Sequence, residues 1–320
     1  MGDIMVSENG RLMRAAVIHE YGDSSVLKNE TAAVPEPGDD EVLVKVLYTS
    51  VNPMDWKMRA GYMKDFIHLK MPAILGIDVA GVVEKTGRSV KRFKTGDKVF
   101  GRASASRGGS YAEYTAVKEE QLARMPNNLQ AREAAGLPVV AGTAWGALFE
   151  MANLKAGQRV LITGASGGVG LAAVQFARNA GAHVIGTTSG ANAKLVKEMG
   201  ANEVVDYTKG DFSKKVHDVD VVLDTVGGDT LSRACSVLKR GGVIVSLTGP
   251  VAPGVAEKLG ITAKYSSVPS DGSRLEKIAK EIEAGRFRIV IDREFPLERI
   301  GEAHVLSESR KAKGKIIIKI

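Results

Sequence analysis

Between residues 14 and 116 apolar and polar positions alternate in short runs, without the spacing of a helix. Residues 14–19, 41–49, 79–84, 98–100 and 111–116 read as β-strands, punctuated by turns at Pro37-Gly38 and Thr95-Gly96-Asp97. This pattern predicts a small barrel or sandwich, followed by a helical stretch over 131–151. From residue 159 the pattern changes. Apolar runs at 159–163, 183–188, 203–207, 219–225, 242–247 and 261–265 alternate with helical patterns at 168–179, 192–199 and 230–239. That alternation predicts an α/β fold with a doubly wound parallel sheet. Beyond residue 270 come a helix (274–283), a strand (290–295), a helix (297–309) and a final strand (315–320). This tail is too short to build its own core and is expected to fold back on the first region. The expected organisation is a first domain over 1–132 completed by 270–320, and a second over 133–269.

The richest stretch, VLITGASGGVGLAAVQFARNAGAHVIGTT, runs from Val160 to Thr188. Gly164, Gly167 and Gly170 lie between a predicted strand and a predicted helix. Such a turn brings free backbone N–H groups and the positive helix end to one point, where a pyrophosphate fits. Gly164, Ala165, Gly167, Gly168, Val169 and Gly170 are the expected pyrophosphate contacts; a bare strand-to-helix turn is the alternative. The tip of the next strand selects the dinucleotide. NAD sites carry an acid there for the ribose 2′-hydroxyl, whereas this chain has Thr187, Thr188, Ser189 and Gly190, and no acid before Glu198. Thr188, Ser189, Asn192, Lys194 and Tyr207 are expected around a 2′-phosphate, and the expected cofactor is NADPH.

Composition narrows the class. The chain has 320 residues, 44% hydrophobic and 25% charged, which is globular composition for about two domains. No apolar run approaches a membrane span. Residues 1–12 carry Asp3 and Glu8 and read as a loose leader, with no secretory or transit signal. The single cysteine, Cys235, excludes an internal disulfide and a cysteine-rich zinc site, and a reducing cytoplasm is the expected location. The net charge of +7 suits an anionic ligand, and the basic residues are dispersed along the chain.

Several segments carry a family resemblance together: MRAAVIHEYG, SVNPMDWKMRAGY, LGIDVAGVVEKTG, GDKVFG, VVAGTAWGAL, TGASGGVG, LDTVGG and the terminal GKIIIKI. From about Met13 to Ile320 the chain resembles the medium-chain dehydrogenase/reductase superfamily, in its zinc-free quinone oxidoreductase, enone (alkenal) reductase and ζ-crystallin-like branch. The resemblance implies a GroES-like β-rich catalytic domain and a Rossmann domain. Zinc-dependent relatives place a Cys ligand near Ser50–Asn52 and a G-H-E motif at Gly76-Ile77-Asp78. Ile77 cannot bind a metal, and the five histidines are scattered, so no metal is expected. Hydride transfer to quinones or to the activated C=C bond of enones and enals is the chemistry that remains.

The resemblance also places residues 52–62 beside the nicotinamide. Asn52 and Lys57 would donate to the developing oxyanion, Tyr62 would donate a hydrogen bond or a proton, and Asp55 would orient Lys57 or the loop or cap a short helix. Thr143 and Thr225 would approach the ribose or nicotinamide, and Gly314 and Lys315 would close over the cofactor. The expected partner is a small electrophile, with no membrane. Relatives often form homodimers through a sheet edge, here 242–247 or its neighbour. ζ-Crystallin-like proteins also bind RNA or serve structural roles. That alternative lacks an RNA-recognition signature here, with aromatics at only 5%.

Overall fold

The computed structural model describes residues 10–265 and 268–320. The chain divides into two compact units. One comprises Met1–Val139, Ser270–Glu283 and Ile291–Ile320; the other comprises Val140–Pro269 and Ala284–Val290.

The first unit opens with β1 (Leu12–Ile18), β2 (Lys28–Ala33), β3 (Glu41–Val51) and β4 (Ala73–Ile74). It continues with β5 (Asp78–Thr86), β6 (Lys98–Arg102), β7 (Tyr114–Lys118) and β8 (Leu122–Arg124). β3 is the organising strand. Val42, Val44 and Val46 are buried on one face, Lys45 and Leu47 on the other are exposed, and Leu43 is buried on that second face. These valines pack on Val79, Val83, Val99 and Leu122 from the neighbouring strands. β2, whose sequence is KNETAA, escapes the hydrophobic pattern because none of its residues is buried. It exists by pairing antiparallel with β1, which also pairs with β4.

The helical stretch expected over 131–151 is broken. A short helix, Ala131–Ala134, stops before Gly136, and a second, Pro138–Trp145, starts afresh. Pro138 has no N–H and disfavours the helical conformation at Leu137, so it begins a helix and cannot continue one. The last turns, Gly146–Met151, widen into a π-helix.

The second unit is a six-stranded sheet. Its strands are β9 (Arg159–Ile162), β10 (His183–Thr188), β11 (Glu203–Asp206), β12 (Val219–Asp224), β13 (Leu238–Ser246) and β14 (Thr262–Tyr265). Every pairing is parallel, in the order β11-β10-β9-β12-β13-β14. This is the doubly wound arrangement, with the order reversing between β9 and β12. Leu161, Ile185, Val222 and Ile244 share one core with Leu231 and Cys235 from the helix Gly228–Ser236. Burial pushes the Cys235 thiol up, away from a nucleophilic thiolate.

β15 (Ile291–Pro296) and β16 (Lys315–Lys319) belong to the first unit. β16 pairs antiparallel with β3, Ile316 opposite Val51 and Ile318 opposite Thr49, and completes the order β15-β16-β3-β5-β6-β8. Among the described residues, no helix is long and apolar enough to cross a membrane.

Candidate active site

β9 enters the helix Gly168–Asn179 through the turn Thr163–Gly167. Gly164 has φ +62°, and a Cβ there would lie 2.5 Å from Thr225 Oγ1. A Cβ on Gly170 would lie 2.3 Å from the Gly164 carbonyl oxygen. These two glycines let loop and helix touch. Gly167 differs: its Cβ would meet only the Gly164 oxygen, at 3.4 Å, so the turn is open there. The first helical turn carries no acid, and its leading N–H groups have no intrahelical acceptor. The cradle therefore fits a pyrophosphate. Val169 and Gly168 are half-buried at its rim, whereas Ala165 and Gly170 are buried and shape the turn from beneath.

Asp224, which the sequence reading did not single out, ties this turn to the end of β12. Its Oδ1 accepts from the Thr163 hydroxyl at 2.7 Å and its Oδ2 from Gly227 N at 3.0 Å. Thr225 then donates from Oγ1 to the Thr163 carbonyl at 2.8 Å. The signal was present in LDTVGG, as an acid at a strand end before two glycines. Thr143 is half-buried in the helix Pro138–Trp145 and has no hydroxyl partner in the turn among the described residues.

At the tip of β10, Thr188 is buried and donates to Ser166 Oγ at 2.9 Å. It therefore braces the glycine turn and offers no surface to a 2′-phosphate, contrary to expectation. Asn192 Nδ2 lies 3.4 Å from both Ser166 Oγ and Ser189 Oγ, and its Oδ1 is buried without a partner. Ser189 is half-buried, while the Lys194 side chain is 90% exposed and, among the described residues, its one ion-pair partner is Glu198 at 3.9 Å. Tyr207 is 56% exposed where β11 ends. Ser189, Lys194 and Tyr207 are the groups that could hold a 2′-phosphate.

The segment 52–62 in the first unit forms the helix Pro53–Arg59 and the turn after it. Asn52 caps the helix, donating its backbone N–H to Asp55 Oδ2 at 2.7 Å. The Asn52 side chain is turned inward and is 1% exposed. Nδ2 donates to Asp78 Oδ2 at 2.9 Å, and Oδ1 accepts from Lys315 Nζ at 2.6 Å. Direct donation to a substrate, expected of Asn52, gives way to a positioning role because both ends of its amide are engaged. Lys315 is corrected likewise. It is 2% exposed, and its Nζ lies 3.1 Å from Asp78 Oδ2 and 3.5 Å from the Val51 carbonyl. A group without free surface cannot close over a cofactor. Gly314 before it is half-buried with φ +94°. Asp78 also accepts from the Ser50 hydroxyl and, at 2.9 Å, from Val139 N. Where zinc-dependent relatives collect metal ligands, this chain thus has a carboxylate neutralised by an ammonium. Among the described residues, no group of three or more His, Cys, Asp or Glu side chains is arranged to hold a metal ion.

Asp55 does not orient Lys57. It is fully buried, and desolvation pushes its carboxyl up to about 7, with the charge of Asp78 adding to the effect. A directed hydrogen-bond chain runs toward it from the helix Ile300–Glu308, as far as Tyr111. Arg59 is a donor only, so at 3.2 Å it fixes His304 Nδ1 as an acceptor. His304 Nε2 must then carry the proton, which it donates to the Tyr111 hydroxyl at 3.1 Å. The Tyr111 hydroxyl is turned toward Asp55, whose Oδ1 is buried with no hydrogen-bond partner among the described residues. Burial, with the Arg59 charge adding, pushes His304 down to about 3, so it is neutral. Arg59 is paired outward with Glu308. Lys57 and Tyr62 are the exposed hydrogen-bonding side chains of the segment. Lys57 Nζ lies 5.8 Å from the Trp56 ring centroid, and Tyr62, 74% exposed, meets Trp56 edge-on at 6.1 Å.

Known proteins share this architecture. The family described as alcohol dehydrogenase GroES-like domain matches residues 38–127, and the one described as zinc-binding dehydrogenase matches 199–318. The 2-methylene-furan-3-one reductase of Solanum lycopersicum is 38% identical, over 96% of this chain and 79% of its own. The NADPH-dependent alkenal/one oxidoreductase of Arabidopsis thaliana is 37% identical with the same coverage. The quinone oxidoreductase structure from Coxiella burnetii superposes with a TM-score of 0.89 at 32% identity, covering 97% of this chain and 100% of that one. The glycine turn, the inward Asp78–Lys315 pair and these likenesses lead to one conclusion: the chain belongs to the medium-chain dehydrogenase/reductase family, in its quinone and enone reductase branch.

Proposed function

We propose that this chain is an NADPH-dependent reductase that transfers hydride, without zinc, to the activated C=C bond of α,β-unsaturated carbonyls or to quinones. The observation that carries the reading is the buried Lys315 ammonium against Asp78 and Asn52. With a cation of its own, this buried carboxylate has no use for a divalent ion, and without a Lewis acid an alcohol is a poor hydride donor. An electron-poor carbon needs no such help. The relatives named for alkenal/one, furanone and quinone reduction support the same substrate class.

NADPH supplies the hydride when bound. Gly167 and the N–H groups of Gly168, Val169 and Gly170 hold its pyrophosphate, and Ser189, Lys194 and Tyr207 its 2′-phosphate. Thr143 and Thr225 approach its ribose or nicotinamide in this reading. Lys57 or Tyr62 donates to the oxygen that gains charge, while Asn52 and Asp55 hold the helix that presents them. Water completes the protonation where Tyr62 does not. The protein works in the cytoplasm, where Cys235 stays reduced, as a homodimer joined along a sheet edge.

The test is consumption of reduced nicotinamide with an enone, an enal, benzoquinone, phenanthrenequinone and a saturated aldehyde. Turnover with NADPH on the enone, enal or quinones is the expected result, and the enone-to-quinone ratio assigns the preference. Turnover confined to the saturated aldehyde would contradict the reading.

A further inference from the structure

The strand tip that selects the dinucleotide lacks an acid of its own, but the sheet brings one to it. β10 and β11 pair in a register that sets Thr188 opposite Asp206. A Cβ built on Gly190 would lie 2.6 Å from Asp206 Oδ2. The carboxylate thus approaches the backbone of the loop that holds Ser189 and Asn192 and leads to Lys194, and it does so because Gly190 has no side chain. Its other oxygen accepts from Thr208 N at 2.9 Å and Thr208 Oγ1 at 2.7 Å. Those bonds hold Asp206 below the usual carboxylate range, so it is ionised at neutral pH. Among the described residues no Lys or Arg forms an ion pair with it, and Lys209 acts only as a weaker charge at longer range.

We propose that Asp206 is a selectivity residue whose negative charge beside Gly190 opposes a 2′-phosphate and is indifferent to a 2′-hydroxyl. The chain therefore discriminates NADPH from NADH by a narrow margin. A 2′-phosphate brings nearly two negative charges. The exposed ammonium of Lys194 attracts it, and Asp206 works against that attraction across a screened surface. The inference rests on this loop being the ribose site of the proposed function.

The experiment is fluorescence titration of NADPH and NADH binding to the wild type, Asp206→Asn and Lys194→Ala. Asparagine keeps the acceptor for Thr208 while removing the charge and the second acceptor facing Gly190, and a thermal melt confirms that the fold is kept. Asp206→Asn is expected to tighten NADPH about fivefold at low salt, with NADH unchanged and the gain shrinking as salt is raised. Unchanged or weaker NADPH binding, or an equal shift for both nucleotides, overturns the proposal. If Lys194→Ala weakens NADPH while Asp206→Asn changes nothing, only the role of Asp206 fails. If neither substitution alters the binding of either nucleotide, the ribose site lies elsewhere and the proposal falls with it.

Discussion

Asp55 is a carboxylic acid held in a place that favours its neutral form. Its pKa of about 7 in the fold lies above the ordinary value for an aspartate. Its contribution to stability is therefore complete below the unfolded value and is lost as pH rises through about 7. Asp55→Asn keeps an acceptor for Asn52 N and cannot ionise. Thermal melts are expected to show the wild type losing stability relative to this variant between about pH 4 and pH 7; parallel profiles would contradict a neutral Asp55. His304 has the opposite sign. Its pKa of about 3 lies below the value near 6.5 of a free imidazole, so its contribution is complete above 6.5 and lost as pH falls through about 3. At the cofactor, Lys194→Ala is expected to raise the KM for NADPH about tenfold and leave that for NADH nearly unchanged. Equal effects on both would remove Lys194 from the phosphate site.

At the scale of elements, the helix Pro53–Arg59 is too short to persist by its own propensity. Its cap at Asn52 and its anchor through Arg59 to His304 keep it in place. Glutamine at 304 can accept from Arg59 and donate to Tyr111, whereas leucine can do neither. His304→Gln is accordingly expected to retain most of the kcat, and His304→Leu to lower it while leaving the KM for NADPH unchanged. Loss of kcat to the same degree in both would show that the directed chain does not matter. β16 meets β3 through a charge as well as a ladder. Lys315→Met strands the buried Asp78 carboxylate and should cost about 3–5 kcal/mol in urea unfolding. The double variant with Asp78→Asn should recover much of that, because no unpaired charge remains. A double variant no more stable than the single one would mean that the pair contributes little.

At the scale of the whole molecule, the lone exposed edge beside β13 is β14, not β13 itself. Of the two expected, 242–247 or its neighbour, the neighbour lies at the edge: β13 is paired on both sides, and all four residues of Thr262–Tyr265 are exposed. For the proposed homodimer, Ala263→Pro removes a backbone donor from that edge strand, and sedimentation should report a shift from dimer to monomer with the melt preserved. An unchanged assembly would move the dimer contact elsewhere. The proposed chemistry also predicts that prolonged chelation leaves turnover intact and that elemental analysis finds no stoichiometric zinc.

The elements visible along the chain are those whose signals are local. The apolar runs of β9 to β14, the glycines at 164, 167 and 170, and the helix Gly168–Asn179 follow from periodicity and backbone freedom, properties that neighbouring residues decide together. β2, polar but for Ala32 and Ala33 and with no buried residue, was invisible because it is held mainly by its pairing with β1. The inward turn of Asn52 and Lys315 was equally hidden, since their partner Asp78 is distant in sequence and burial converts a plausible ligand contact into an internal ion pair. The acid beside Gly190 belongs to the same class: read along the chain the tip has none, and parallel pairing of β10 with β11 supplies one. Sequence alone determined the sheet, the glycine turn and the family. The tertiary structure decided which polar side chains remain available to a ligand, because desolvation and charge pairing depend on neighbours that only the folded chain brings together.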